Sequence, residues 1–109
     1  MRTLRFIVNG NIIKPDPNCD FSGLFPGVEQ YVKAEFLFSQ EWKNGIKVVG
    51  FWSPLGNEYP PQHLKDDKSC MIPTEALKRA SFKMQVLGNC KGVKFRTNKL
   101  TVLQTGGKR

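Results

Sequence analysis

The chain has 109 residues, of which 39% are hydrophobic and 24% charged, and its formal net charge at pH 7 is +8. Its size and composition indicate one folded domain spanning residues 1–109, rather than a disordered chain or two domains. No apolar run could serve as a signal peptide or a membrane span, so we expect a chain kept in a cytoplasm, or assembled into something built there, with no membrane partner.

The positive charge is concentrated in the second half of the chain. Residues 1–60 include six basic and six acidic residues, whereas residues 61–109 include eleven basic and three acidic residues. This asymmetry favours an anionic partner, such as a nucleic acid, an anionic wall polymer or an acidic protein surface. A solvated basic surface without any partner is the alternative.

The first 30 residues predict a hairpin followed by a loop. Asn9-Gly10 is a strong hairpin turn signal between the apolar segments Thr3–Val8 and Asn11–Ile13. Lys14–Gly27 is rich in proline and glycine and predicts a loop of extended segments. Because it also contains several apolar residues, we expect this loop to lie against the core.

Strand patterns dominate the rest of the chain. Residues 31–38 alternate apolar and polar positions, as in a half-buried strand, and residues 46–53 are apolar enough for the centre of a sheet. Pro60-Pro61 is expected to end the next strand, since proline donates no ladder hydrogen bond. Further strands are predicted at residues 70–72, 81–87, 93–97 and 100–103.

One short helix is predicted over Thr74–Arg79, with Thr74 as its N-cap. Six residues are too few for an independent helix, so this segment must connect two strands, with Ile72 and Leu77 closing the end of the core. About seven or eight strands with one helical turn predict an all-β sandwich, with a small barrel as the alternative. Residues 106–109 are expected to form a flexible tail.

Residues suited to catalysis or metal binding are sparse, and we expect neither an enzyme nor a cofactor. The single histidine, His63, has no second histidine to orient it, and no phosphate-binding glycine loop is present. Cys19, Cys70 and Cys90 lack the spacing of a zinc site, so free thiols are expected, with a zinc site or a disulfide as the alternative.

A basic strand face is the main candidate site. Lys94 and Arg96 share one face of their predicted strand, and Lys83 and Lys99 are expected nearby. Trp42 is the candidate exposed aromatic residue, because it lies in a predicted loop. Nucleic-acid barrels combine such charge with stacking aromatics, but the neighbouring phenylalanines alternate toward the core. A barrel that binds single-stranded nucleic acid is therefore the alternative hypothesis for the function.

The order of motifs from residue 31 to residue 105 resembles a family of small structural modules of phages that infect Gram-positive bacteria. The resemblance comes from Trp42, Cys70-Met-Ile-Pro-Thr-Glu-Ala-Leu77, Phe82-Lys-Met-Gln-Val-Leu-Gly88 and Thr97-Asn98. Those modules accompany tail-fibre and baseplate components and resemble the immunoglobulin-like β-sandwich. Residues 1–30 lie outside the pattern, and the family supplies no catalytic or ligand residue.

The resemblance implies a non-enzymatic structural or binding module of a phage tail, baseplate or capsid surface, located in the virion or the host cytoplasm. Other virion proteins and a symmetric homo-oligomer are the expected partners, with an acidic partner on the basic half. Exposed strand edges and the loop Lys14–Gly27 are candidate contact surfaces. A small phage-encoded inhibitor that docks on a host protein is the other alternative.

Overall fold

A computed structural model describes residues 2–27, 31–66 and 68–104 of the chain. Within these residues the chain forms nine strands, one 3-10 turn over Gln40–Trp42 and one helical turn, α1, over Thr74–Leu77. The strands are β1 Arg2–Asn9, β2 Ile12–Pro15, β3 Val32–Phe38, β4 Ile46–Trp52, β5 Glu58–His63, β6 Ser69–Met71, β7 Ser81–Cys90, β8 Val93–Arg96 and β9 Leu100–Leu103. The predicted tail lies outside the described residues.

The strands form two sheets. The first sheet has the order β2-β1-β3-β6, and the second has the order β5-β4-β7-β8, with β9 also paired to β7. This confirms the predicted all-β sandwich, and the sheets do not close into a barrel. The predicted hairpin is present, because β1 and β2 pair antiparallel across Gly10, whose φ is +62°. The parallel pairing of β1 with β3 was not predicted.

Alternation along the strands places one apolar face of each sheet in the core. Val32, Ala34 and Phe36 of β3 are buried, as predicted, while Leu37 on the opposite face is 67% exposed. Phe82, Met84 and Val86 of β7 face them from the second sheet and are fully buried. One continuous hydrophobic cluster joins the two sheets. The period-two pattern therefore predicted the core correctly over these strands.

The loop between β2 and β3 lies against the first sheet, as expected. Leu24 is 1% exposed, and the Phe21 ring meets the edge of the Phe6 ring with centroids 5.5 Å apart. The Arg2 guanidinium donates hydrogen bonds to the carbonyl oxygens of Asp20 and Ser22. Apolar packing and hydrogen bonds therefore hold the described part of this loop against the core.

The connection from β6 to β7 forms a corner that closes the sandwich. Ile72 and Leu77 are each 2% exposed, which confirms their predicted place in the core. The predicted helix is wrong in its extent and its cap, because α1 ends at Leu77 and Pro73 occupies the N-cap position without a side-chain bond. Gln104 covers the end of this turn, since its side-chain amide donates to the Arg79 carbonyl at 2.8 Å.

Two further expectations about strands are corrected. β5 continues through Pro60 and Pro61 because it is an edge strand, where a missing N–H costs no ladder bond, and its pairing with β4 shifts register nearby. The described residues form nine strands, one for each segment predicted individually, so the total of about seven or eight was slightly too low. No helix among the described residues is long and apolar enough to cross a membrane.

Candidate binding face on the second sheet

The four basic residues singled out in the sequence lie together on the outer face of the second sheet. Residues paired across antiparallel strands point to the same face. Lys83 pairs with Trp52 of β4, and Arg96 and Lys94 of β8 pair with Leu87 and Asn89 of β7. All six positions alternate away from the buried residues of their strands.

Lys99 joins this group through an aromatic contact. It follows the end of β8, and its ammonium lies 4.3 Å from the centroid of the Trp52 ring, a cation–π distance. Since Trp52 is directly opposite Lys83, Lys99 is held above the same end of the face. We call the outer surface formed by Lys83, Lys94, Arg96 and Lys99, with the apolar residues between them, the basic face.

The cations of the basic face have no acidic partner within the described part of the chain. The ion pair found there is Arg5–Glu35, with an N–O distance of 3.2 Å, on the outer face of the first sheet. Lys94, Arg96 and Lys99 are exposed, and Lys83 is half-buried. Unneutralised positive charge on one surface attracts an anionic partner over about 10 Å at ordinary salt.

Aliphatic side chains form the floor of the basic face. Ile46 is 70% exposed and Leu87 is 36% exposed, and Val48 lies half-buried beside them. These residues, together with Lys94 and Arg96, line an open depression of about 460 Å³. This exposed aliphatic floor was not predicted, because the apolar sequence of residues 46–53 indicates only a strand at the centre of a sheet. Exposed aliphatic area framed by cations suits a partner with both apolar and acidic side chains.

Trp42 is not an exposed aromatic residue, and that prediction is wrong. It is fully buried at the end of the 3-10 turn, and its indole N–H donates to the Gly10 carbonyl at 2.7 Å. The ring packs edge-on against Phe95 and close over Gly88, where a Cβ atom would lie 2.6 Å from Cζ3. A loop position did not imply exposure, because residues distant in sequence enclose the ring.

Trp52 does reach the basic face, but its ring is half-buried and in contact with both Gly50 and Lys99. One side lies over Gly50, where a Cβ atom would approach Cη2 to 2.5 Å, and Lys99 lies over the ring. An aromatic ring that covers a glycine of its own strand shields the exposed backbone there. Trp52 thus supports the sheet rather than presenting a stacking surface.

The remaining candidate chemistry is dispersed. His63 is exposed on the edge strand β5. The three cysteines are free thiols, and burial raises the pKa of Cys70 to about 12, which keeps this thiol protonated near neutral pH. Among the described residues no three histidine, cysteine, aspartate or glutamate side chains lie close enough together to hold a metal ion.

Lys47 is a buried lysine that the sequence pattern did not reveal. It is 5% exposed, donates to the Gly45 carbonyl at 3.1 Å, and lies 5.3 Å from the centroid of the Phe38 ring. Its neighbour across the ladder is Gly88, on the inner side of the sheet. The lysine therefore belongs to the packed interior near Trp42 and not to the basic face.

Comparison with known proteins does not extend these observations. No family model, no curated protein and no solved structure matches this chain. The similarity to phage structural modules stays a prediction from the motifs between residues 31 and 105.

Proposed function

We propose that this chain is a non-enzymatic binding module that holds an acidic protein partner against its basic face. One observation carries the proposal: Lys94 and Arg96 line an exposed aliphatic floor on a face that also carries Lys83 and Lys99, and the four cations have no acidic partner in the described structure. Interfaces of this kind gain affinity from the apolar centre, whereas the surrounding charges set the rate and the specificity of association.

The nature of the floor favours a protein over a nucleic acid. Proteins that hold single strands stack successive bases on open aromatic rings within a positive groove. Here the floor includes the aliphatic side chains of Ile46, Val48 and Leu87; the Phe95 ring that also lines it packs against Trp42, and Lys99 lies over the Trp52 ring. Aliphatic side chains instead accommodate apolar side chains of a protein segment, and the flanking lysines and arginine pair with its carboxylates.

The resemblance to phage modules supports a setting for this binding. On that reading the partner is another virion protein of a tail, a baseplate or a capsid surface. A small inhibitor docked on an acidic host protein would use the same face. A symmetric homo-oligomer built on the basic face itself is disfavoured, since its two copies would bring like charges together.

Fluorescence anisotropy with three labelled probes tests the proposal. The probes are a twelve-residue peptide of alternating glutamate and valine, a peptide of alternating glutamate and serine with the same charge, and a dT15 oligonucleotide. We expect the glutamate–valine peptide to bind most tightly at low salt, and the variant Lys83→Glu/Arg96→Glu to weaken it at least tenfold. Lys14→Glu/Lys33→Glu, which changes the charge equally on the first sheet, is the matched control.

Three outcomes contradict the proposal. Tightest binding of dT15 would favour the nucleic-acid reading, and equal binding of both peptides would remove the role of the aliphatic floor. Absence of binding by either peptide at low salt, with the chain shown to be folded by circular dichroism, would reject the basic face as a protein-binding surface.

A further inference from the structure

We infer that the acidic partner binds by adding a β-strand to the open edge of the second sheet, alongside β9. This inference depends on the proposed function, because it takes the partner to be an acidic protein segment. Strand addition joins a peptide to a sheet through main-chain hydrogen bonds, and it requires an edge whose N–H and C=O groups are accessible.

The edges at β2, β6 and β5 are each covered or blocked, whereas β8 and β9 lie end to end along β7 and together form the remaining edge of the described structure. At β2, the Asn98 side chain bonds both the N–H and the C=O of Ile13. At β6, a tight turn returns the backbone of Lys65 to pair with Ser69. At β5, Pro60 and Pro61 remove two donors from the edge. Natural sheets use such devices to prevent unwanted strand pairing.

The edge at β9 has none of these protections among the described residues. The Gln104 N–H donates to the Ala80 carbonyl at 2.6 Å, directly after β9. In an antiparallel ladder the bonded residues alternate, so Leu100 and Val102 bond toward β7 as well. The N–H and C=O groups of Thr101 and Leu103 consequently point away from the sheet, and no described residue bonds to them.

Side chains beside β9 define the sequence that this edge would accept. Thr101 pairs with Lys83 on the outer face, and Lys99 lies beside the same end of the strand. On the inner face, Leu100 is half-buried and Val102 is buried. A strand laid against β9 would thus place alternate residues near cations and near aliphatic side chains. Alternating acidic and apolar residues suit both faces, whereas a second copy of this edge would bring its own Lys83 and Lys99 toward the same cations.

Amide hydrogen exchange by NMR, with the glutamate–valine peptide as the probe, tests strand addition directly. We expect the peptide to slow the exchange of the Thr101 and Leu103 amides at least tenfold, because both N–H groups become bonded. The amide of Ile12, on the first sheet, is the internal control and should not change. Unchanged exchange at both β9 amides with peptide bound would overturn the inference.

A proline variant gives an independent readout. Thr101→Pro removes an N–H that points away from β7, so the ladder with β7 is retained while a main-chain bond to the partner is lost. We expect at least tenfold weaker peptide binding, with Thr101→Ala binding as the wild type does. If Thr101→Pro does not fold, the exchange experiment on the wild type still decides.

The two proposals fail in different ways. If Lys83→Glu/Arg96→Glu loses peptide binding but Thr101→Pro does not, and the β9 amides exchange as before, the basic face binds an acidic partner without strand addition. If the peptide does not bind the wild type at all, both proposals are rejected.

Discussion

The Asn98 side chain forms hydrogen bonds with both the N–H and the C=O of Ile13, a residue 85 positions earlier in the chain. Its amide oxygen accepts the Ile13 N–H at 2.8 Å, and its amide nitrogen donates to the Ile13 carbonyl at 3.4 Å. In this way one side chain from the break between β8 and β9 imitates a neighbouring strand at the edge of the first sheet. Thr97, beside it, is buried, and its hydroxyl accepts the Val86 N–H at 3.1 Å. The pair Thr97-Asn98 joins the two sheets.

Replacing Asn98 with alanine should therefore destabilise the protein. Ile13 is buried, so its N–H would lose its partner without gaining good access to water, at a cost of about 1–3 kcal/mol in the free energy of unfolding. Urea unfolding followed by tryptophan fluorescence measures the loss. Asn18→Ala, in an exposed loop position, is the control and should change stability by less than about 0.5 kcal/mol. An equally small change for Asn98→Ala would show that the bonds to Ile13 contribute little.

Leu77 closes the end of the core, and its truncation should lower the free energy of unfolding by more than Asn98→Ala does. Because the side chain is 2% exposed, Leu77→Ala leaves a cavity and should lower the free energy of unfolding by about 2–5 kcal/mol. The adjacent exposed Lys78→Ala serves as the control. A loss below about 0.5 kcal/mol for Leu77→Ala would contradict its place in the core.

Gly88 is required by the ring of Trp42. An alanine Cβ would lie 2.6 Å from Cζ3 of the ring, so Gly88→Ala should destabilise by about 1–3 kcal/mol through overpacking. Trp42→Phe removes that ring atom, and the double variant should lose less stability than the two single losses together. Strictly additive losses, measured by urea unfolding, would mean that the clash does not occur.

The buried Cys70 thiol makes stability depend on pH in the alkaline range. Burial raises its pKa from 9.0 to about 12, so the folded state holds the proton more tightly than the unfolded chain. The resulting stabilisation is complete below pH 9 and is lost as pH rises toward 12. The stability difference between wild type and Cys70→Ala should thus shrink by on the order of 1 kcal/mol between pH 7.5 and pH 10.

Comparing two variants at each pH removes the effect of other titrating groups. Val86→Ala also truncates a fully buried side chain but removes no titratable group, so its difference from wild type should stay constant with pH. A Cys70→Ala difference that is the same at pH 7.5 and pH 10 would show that the thiol ionises equally in both states.

The buried face of each regular strand can be predicted from the amino-acid pattern alone. Alternation in a strand has a period of two, so the pattern in residues 32–36 and 82–86 assigned the inward side chains without knowledge of the partner strands. The same rule placed Lys94 and Arg96 on one surface, apart from Phe95, which packs on the core. These features depend on neighbours in the chain and are local.

Features that depend on residues distant in the chain become visible in the folded structure and not in the sequence pattern. Trp42 is buried because Phe95 and Gly88 close over its ring, β5 tolerates its prolines because it lies at an edge, and the β9 edge is open because no described element covers it. The aliphatic floor of the basic face is a further example. Ile46 and Val48 lie on the outer side of β4, which no other described element covers completely. Burial in loops, edges and sheet faces is set by contacts across the fold, and no periodicity along the chain encodes them.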